Sequence, residues 1–306
     1  MAFAEQFRQQ VSLLVRTIPL VAEESCFALK GGTAINLFVR DLPRLSVDID
    51  LTFLPVTDRG QALVDIDAAL KRIGKRIQAM NPRFNITESA PSSQSSINKL
   101  VIRTPQRLQV KIEVTPVLRG CVYEPERKSV SERTEEEFGY AEMDVLSIAD
   151  LYAGKVVAAL DRQHPRDLFD VHHLFENEGL TEELRKALVV YLISHDHSPQ
   201  SLLAPKLRDI EHSFGSDFVG MTEENITLEM LYAARARLIN AVISGMTSEQ
   251  KAFLVSFYEG SPDWDKLGLS GVAELPAVKW RQLNLDRAGT GTRAEIVRQL
   301  TSVLEL

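Results

Sequence analysis

Hydrophobic side chains recur with two different periods along this chain, and the change from one to the other limits the folds open to it. Residues 45–54 (LSVDIDLTFL) alternate apolar with polar, the period of a half-buried strand. Residues 97–104 (INKLVIRT) and 107–115 (RLQVKIEVT) read as two more strands, joined across Thr104-Pro105-Gln106 as a hairpin. Gln94, Ser95 and Ser96 form a polar loop just ahead of them. Helical spacing runs through residues 5–24 and 59–79, and a further apolar helical stretch opens at the glycine pair Gly31-Gly32. From about residue 147 the spacing is helical and stays so. Ser147-Ile148-Ala149-Asp150 opens that part like a capping box. Pro165 suits a helical first turn, where no hydrogen bond is lost. Helical patterns recur at 181–194, 226–244, 248–260 and 292–306. The pattern predicts an α+β fold, with a mixed sheet flanked by helices in residues 1–178 and an all-helical domain in 179–306.

Composition narrows the function classes. The chain has 306 residues, 44% hydrophobic and 25% charged, which suits a soluble globular protein. A formal charge of −7 excludes attachment to nucleic acid by global charge and leaves only a local basic groove. Residues 121–150 hold nine acids against three bases, nearly the whole imbalance, and read as a solvated acidic insertion. Cys26 and Cys121 are too few for a disulfide scaffold and have no zinc spacing. No apolar run reaches the roughly 18 residues of a membrane span. Glu5, Arg8 and Arg16 argue against a signal peptide. The expected compartment is the cytoplasm.

Within 45–54, Val47, Ile49, Leu51 and Phe53 face one way, while Ser46, Asp48, Asp50 and Thr52 face the other. Two carboxylates therefore enter one space with Cβ atoms about 6–7 Å apart. A divalent ion relieves their repulsion, and Mg²⁺ prefers one or two carboxylates plus phosphate oxygens. Lys30-Gly31-Gly32-Thr33 precedes a helix, where glycine admits close approach to phosphate and a helix start offers unpaired N–H groups. Glu113 lies on the polar face of its strand, and if that strand neighbours the first it adds a third carboxylate, enough for two metals. Lys155 and Arg162 share one helix face, and Arg166 and Asp170 the next. Two cations suit a triphosphate. Asp170 sits among Leu168, Phe169 and Val171, so it needs a partner, for which Lys155 or Arg166 is available.

Lys30-Gly31-Gly32-Thr33, Arg44-Leu45-Ser46-Val47-Asp48-Ile49-Asp50 and Lys155…Arg162…Arg166-Asp167-Leu168-Phe169-Asp170 together resemble the AbiEii branch of the DNA polymerase β-like nucleotidyltransferases, toxins of type IV toxin–antitoxin and abortive-infection systems. The resemblance implies a polymerase β-like nucleotidyltransferase domain followed by helices. It implies transfer of a nucleoside monophosphate from an NTP with Mg²⁺, or Mn²⁺ in its place, to RNA, such as the 3′ end of tRNA. An antitoxin would be the cognate partner. Asp48, Asp50, Lys155 and Asp170 would be catalytic. Asp48 and Asp50 would hold metal, with Glu113 as the wider fold's third acid. Lys30, Gly31, Gly32, Thr33, Ser46 and Arg166 would bind nucleotide. Alternatives are a protein or small-molecule acceptor, or a nucleotide-binding module without turnover.

Other features read as structure. His195-Asp196-His197 lies in a polar loop with no third metal ligand in view, and one of His172-His173 packs while the other faces water. Ser46 lacks a His–Asp pattern, which argues against hydrolysis by a serine nucleophile. Lys71, Arg72, Lys75 and Arg76 form a basic helix face, and residues 279–298 a second basic stretch with Trp280; each suits phosphate contact or a solvated face.

Overall fold

The computed structural model describes residues 2–91 and 96–305; Gln94 and Ser95 of the expected polar loop lie outside the described residues. The chain divides into two compact units, one of residues 1–147 with 220–225, the other of 148–219 with 226–306.

The first unit runs α1 (Glu5–Ala22), β1 (Phe27–Lys30), α2 (Gly31–Ala34, continued as a π turn over Ile35–Val39), β2 (Asp48–Phe53) and α3 (Arg59–Met80). It continues with β3 (Asn85–Ser89), β4 (Lys99–Arg103), β5 (Gln109–Val114), β6 (Glu126–Ser129), α4 (Glu132–Phe138) and β7 (Glu142–Val145). Among the described residues seven strands form one mixed sheet in the order β3-β4-β5-β2-β1-β7-β6. β2 runs parallel to β5 and antiparallel to β1. The expected hairpin is β4–β5, in which Arg103 pairs with Gln109 and Arg107 takes a positive φ in the turn.

Alternation gives the sheet two faces. Ile49, Leu51, Leu100, Ile102, Val110 and Ile112 are fully buried on one of them. The apolar stripe of α3, with Ile66, Leu70, Ile73 and Ile77, is buried as well, and its Gly74 lies against Ile86 and Leu100. Each such side chain contributes about 1.5–3 kcal/mol. Asp58 caps α3 by accepting from the Gln61 N–H at 3.1 Å.

Three elements differ from the sequence expectation. β1 lies just ahead of the helical stretch that opens at Gly31, where the sequence pattern assigns no element; its four residues are a central strand with no polar alternation to mark it. β2 starts at Asp48, so Ser46 and Val47 belong to the approach. The acidic segment 121–150 is no solvated insertion: β7 pairs parallel with β1 and β6 with β7, and Met143 and Val145 are wholly buried between outward Glu142 and Asp144.

Residues 220–225 return to the first unit and pin the approach to β2. The Leu45 N–H donates to the Met221 carbonyl at 2.7 Å, and the Thr222 hydroxyl to the Pro43 carbonyl at 2.8 Å.

The second unit is helical: α5 (Ile148–Asp161), α6 (Pro165–Glu176), α7 (Glu182–Ser194), α8 (Pro199–Leu203), α9 (Glu211–Asp217), α10 (Leu228–Ser244), α11 (Ser248–Glu259), α12 (Pro276–Arg287) and α13 (Thr290–Val303). Pro165 occupies the first turn of α6, where His164 Nδ1 accepts from the Arg166 N–H at 3.2 Å. The compact unit begins at Ile148, whereas the sequence pattern places its division at 178; α5 and α6 pack with later helices.

Candidate active site

Gly31 stands where β1 ends and α2 begins, with φ +72°, a conformation glycine takes without steric cost. A Cβ there would lie 2.5 Å from Asp50 Oδ2. At Gly32 a Cβ would lie 2.7 Å from Arg44 Nη2 and 2.9 Å from Ser46 Oγ. The glycine bend is thus in contact with the Asp50 carboxylate and with the chain entering β2. The hydroxyl of Thr33, fully buried, donates to the Asp48 carbonyl at 2.5 Å, so it ties α2 to β2. Ser46 is 7% exposed beside Gly32.

Strand register sets the charges in rows. Lys30 of β1, Asp50 of β2, Glu113 of β5 and Lys99 of β4 are successive cross-strand partners, and Asp48 pairs in register with Lys111. Lys99 Nζ is 2.9 Å from Glu113 Oε2, and Lys111 Nζ is 4.0 Å from Asp48 Oδ1. Lys30 donates to Thr115 Oγ1 at 3.0 Å. Burial pushes its ammonium pKa below the ordinary value, while Asp50 and Glu113 pull the other way.

Asp48 and Asp50 fit a divalent ion. Both are half-buried on one face of one strand, and glycine at 31 keeps a side chain away from the Asp50 carboxylate, which a Cβ there would meet at 2.5 Å. Two carboxylates leave the remaining positions of Mg²⁺ to water and phosphate oxygens. Among the described residues no three His, Cys, Asp or Glu side chains are grouped to hold an ion. Glu113 stands beside Asp50 in register, with its carboxylate on Lys99.

The second unit holds its own ionic cluster. Lys155, 6% exposed, donates to Asp167 Oδ1 at 2.8 Å and lies 3.0 Å from Asp170 Oδ2. Arg162 grips Asp167 with two bonds of 2.5 and 2.9 Å. Burial alone would raise the Asp167 pKa, but Lys155 and Arg162 outweigh it and hold the carboxyl well below its usual range. Lys155 is thus a cation on Asp170, and its ammonium is shared by two carboxylates. Asp167 has no role in the sequence reading, although its i, i+3 spacing to Asp170 puts both on one helix face. Buried Arg44, which donates to the Leu45 carbonyl at 2.9 Å and lines Gly32, is likewise unassigned there.

The basic helix face on α3 is largely neutralised. Arg72 and Arg76 pair with Glu24 at 2.6 and 2.7 Å, and Lys71 with Asp67 at 2.8 Å. In 279–298, Lys279 pairs with Glu274, Arg293 with Asp286 and Arg298 with Glu295. His195 and His197 meet a third polar group that the sequence does not show, Asp161, 2.8 Å from His197 Nδ1. His195 Nδ1 accepts from the His197 N–H at 3.1 Å, so the pair is held in a local turn.

The profile of a family described as "Nucleotidyl transferase AbiEii toxin, Type IV TA system" matches residues 12–279. The chain belongs to that family. It is accordingly a nucleotidyltransferase, of a class that works on an NTP with a divalent metal, and a type IV toxin implies an antitoxin partner. The fold is similar to that of MenT4, a nucleotidyltransferase toxin from Mycobacterium tuberculosis, with a TM-score of 0.61 and 15% identity over 92% of this chain and 93% of that one. No curated protein matches the chain by sequence. No helix among the described residues is long and apolar enough to cross a membrane. The AbiEii match spans every motif from Lys30 to Asp170, the segment that carries the resemblance.

Proposed function

We propose that this AbiEii protein transfers a nucleoside monophosphate from an NTP to the 3′ end of an RNA, with tRNA as the acceptor, and so blocks translation in the cytoplasm. The observation that carries the reading is the contact between Gly31 and the Asp50 carboxylate, with Asp48 two residues away on the same face. Asp48 and Asp50 would hold Mg²⁺, with Mn²⁺ as a substitute and Glu113 as the adjoining third acid. Bound there, the metal would offset negative charge on the transferring phosphoryl group.

This chain's own groups do the rest by position. Gly31 and Gly32 remove side chains from the place where a triphosphate must come closest to the backbone. Lys30 supplies a cation in the row of Asp50, Ser46 a hydroxyl beside the bend, and Thr33 fixes the strand through the Asp48 carbonyl. In the transfer, the acceptor hydroxyl oxygen bonds to the α-phosphorus, the bond to the bridging oxygen breaks, pyrophosphate leaves and the hydroxyl proton passes to water. Lys155 and Asp170 are assigned catalytic roles and Arg166 a nucleotide-binding role, so the segment carrying chemistry lies within residues 1–178, with 179–306 as the helical remainder. Lys155 acts from its shared bond to Asp167 and Asp170.

The test is incubation with each of the four α-labelled NTPs, Mg²⁺ and bulk tRNA, with a chelator control. Label in RNA that disappears with chelator supports the reading. Label in protein, or none in any arm, overturns it.

A further inference from the structure

The sheet face that carries Asp48 and Asp50 continues outward across β5, β4 and β3, and its chemistry changes along the way. On this face β5 presents Gln109, Lys111 and Glu113, β4 presents Lys99, Val101 and Arg103, and β3 presents Asn85, Thr87 and Ser89. The opposite face of β4 and β5, with Leu100, Ile102, Val110 and Ile112, is apolar and buried. Lys99 is 31% and Lys111 43% exposed, so both ammonium groups reach water. Arg103 is exposed and bonds only neutral groups, Gln109 Oε1 at 3.1 Å and Thr87 Oγ1 at 3.2 Å; among the described residues no carboxylate pairs with it.

Register places these cations in a zigzag. Lys99 is opposite Glu113, Lys111 opposite Val101 one step further out, and Arg103 opposite Gln109 one step beyond that. Two residues of strand rise and one strand spacing separate neighbours by about 8 Å, close to the repeat of phosphates in an extended single strand. Beyond Gln109, Gln106, Arg107 and the α1 glutamines Gln6, Gln9 and Gln10 border an open hollow of about 570 Å³. Amide groups there offer both donors and acceptors, as base edges require.

We infer that this stripe, Lys99–Lys111–Arg103, is the track for the phosphate backbone of the RNA acceptor's single-stranded 3′ end, leading it toward Asp48 and Asp50. The inference rests on the proposed RNA reading and adds to it the residues that hold the acceptor. Charge decides the occupant: two of the cations now neutralise Asp48 and Glu113, and a divalent ion on the carboxylates would compete for those anions and leave the ammonium groups to phosphate. The overall charge of −7 repels a polyanion elsewhere, so attraction must come from a local cluster such as this one.

The test is binding of end-labelled tRNA to the full chain with Mg²⁺ held constant and without NTP, read by fluorescence anisotropy through a salt titration. Each single-strand phosphate contact changes log K by about −0.7 per decade of salt, a factor of about five at 0.1 M. Lys99→Gln/Lys111→Gln/Arg103→Gln should bind about 100-fold more weakly and lower the salt slope by about 2. Arg103→Gln alone, remote from the carboxylates, should lose about fivefold while its affinity for NTP stays at the parent's value. Unchanged RNA affinity and slope in a folded triple variant overturn the track and leave the RNA reading standing. A parent protein that binds no RNA, or labels protein instead, overturns the RNA reading and the track with it.

Discussion

At Gly31 backbone conformation and site chemistry coincide: φ is +72°, and a methyl group would enter the Asp50 carboxylate at 2.5 Å. Gly31→Ala therefore faces both backbone strain and displacement of the acid, a combined cost of about 1–3 kcal/mol. Its melting temperature should fall, and label transfer should fall further than the melting shift accounts for. Gly32→Ala, without the positive φ, should retain more stability. At Asp167 the argument concerns pH. Burial raises its pKa, yet Lys155 and Arg162 bring it below the ordinary carboxyl value, so the folded-state pKa is depressed. The stability it confers is full above the unfolded-chain value of about 3.9 and is lost as pH falls below that. Melting followed from neutral pH into acid should show the parent losing stability more steeply below about pH 4 than Asp167→Asn does. At neutral pH the same substitution should cost about 1–3 kcal/mol, because Lys155 loses one of its two carboxylates and half-exposed Arg162 its buried partner.

Among the elements, β2 carries the two acids, and Thr33 is what ties α2 to it. Thr33→Val keeps the shape but leaves the Asp48 carbonyl without its donor, a cost of about 1–3 kcal/mol. Thermal melting should show that loss, and the transfer rate should drop with Asp48 less firmly held. How far such elements are legible in the sequence depends on length and alternation. β2 and the β4–β5 hairpin can be read because six-residue or paired alternating runs fit little besides strands, and α3 because its apolar stripe spans 22 residues. β1, β6 and β7 have four residues each, too few to show a period, and the acids around β7 hide Met143 and Val145. Of the candidate site, the Gly31-Gly32 bend and the Asp48/Asp50 pair can be picked out from the order and spacing of the motifs together, each motif being weak by itself. That Asp167 shares Lys155 with Asp170, and that Lys99 and Lys111 meet Glu113 and Asp48, depends on helix packing and strand register, which local patterns do not carry.

For the molecule as a whole, net charge and family membership restrict function in different ways. The family makes the chain a nucleotidyltransferase toxin, and the −7 charge requires any polyanionic acceptor to be met by a local cluster. The central claim is that Asp48 and Asp50 are the anionic seat of the transfer chemistry. It is tested most directly by measuring the rate of label transfer from α-labelled NTP to tRNA for the parent and for Asp48→Ala/Asp50→Ala, with both proteins shown to be folded. The double variant should be slower by about 10³-fold or more, since positioning and charge supply nearly all the rate in such reactions. Transfer by a folded double variant at the parent's rate would contradict that claim.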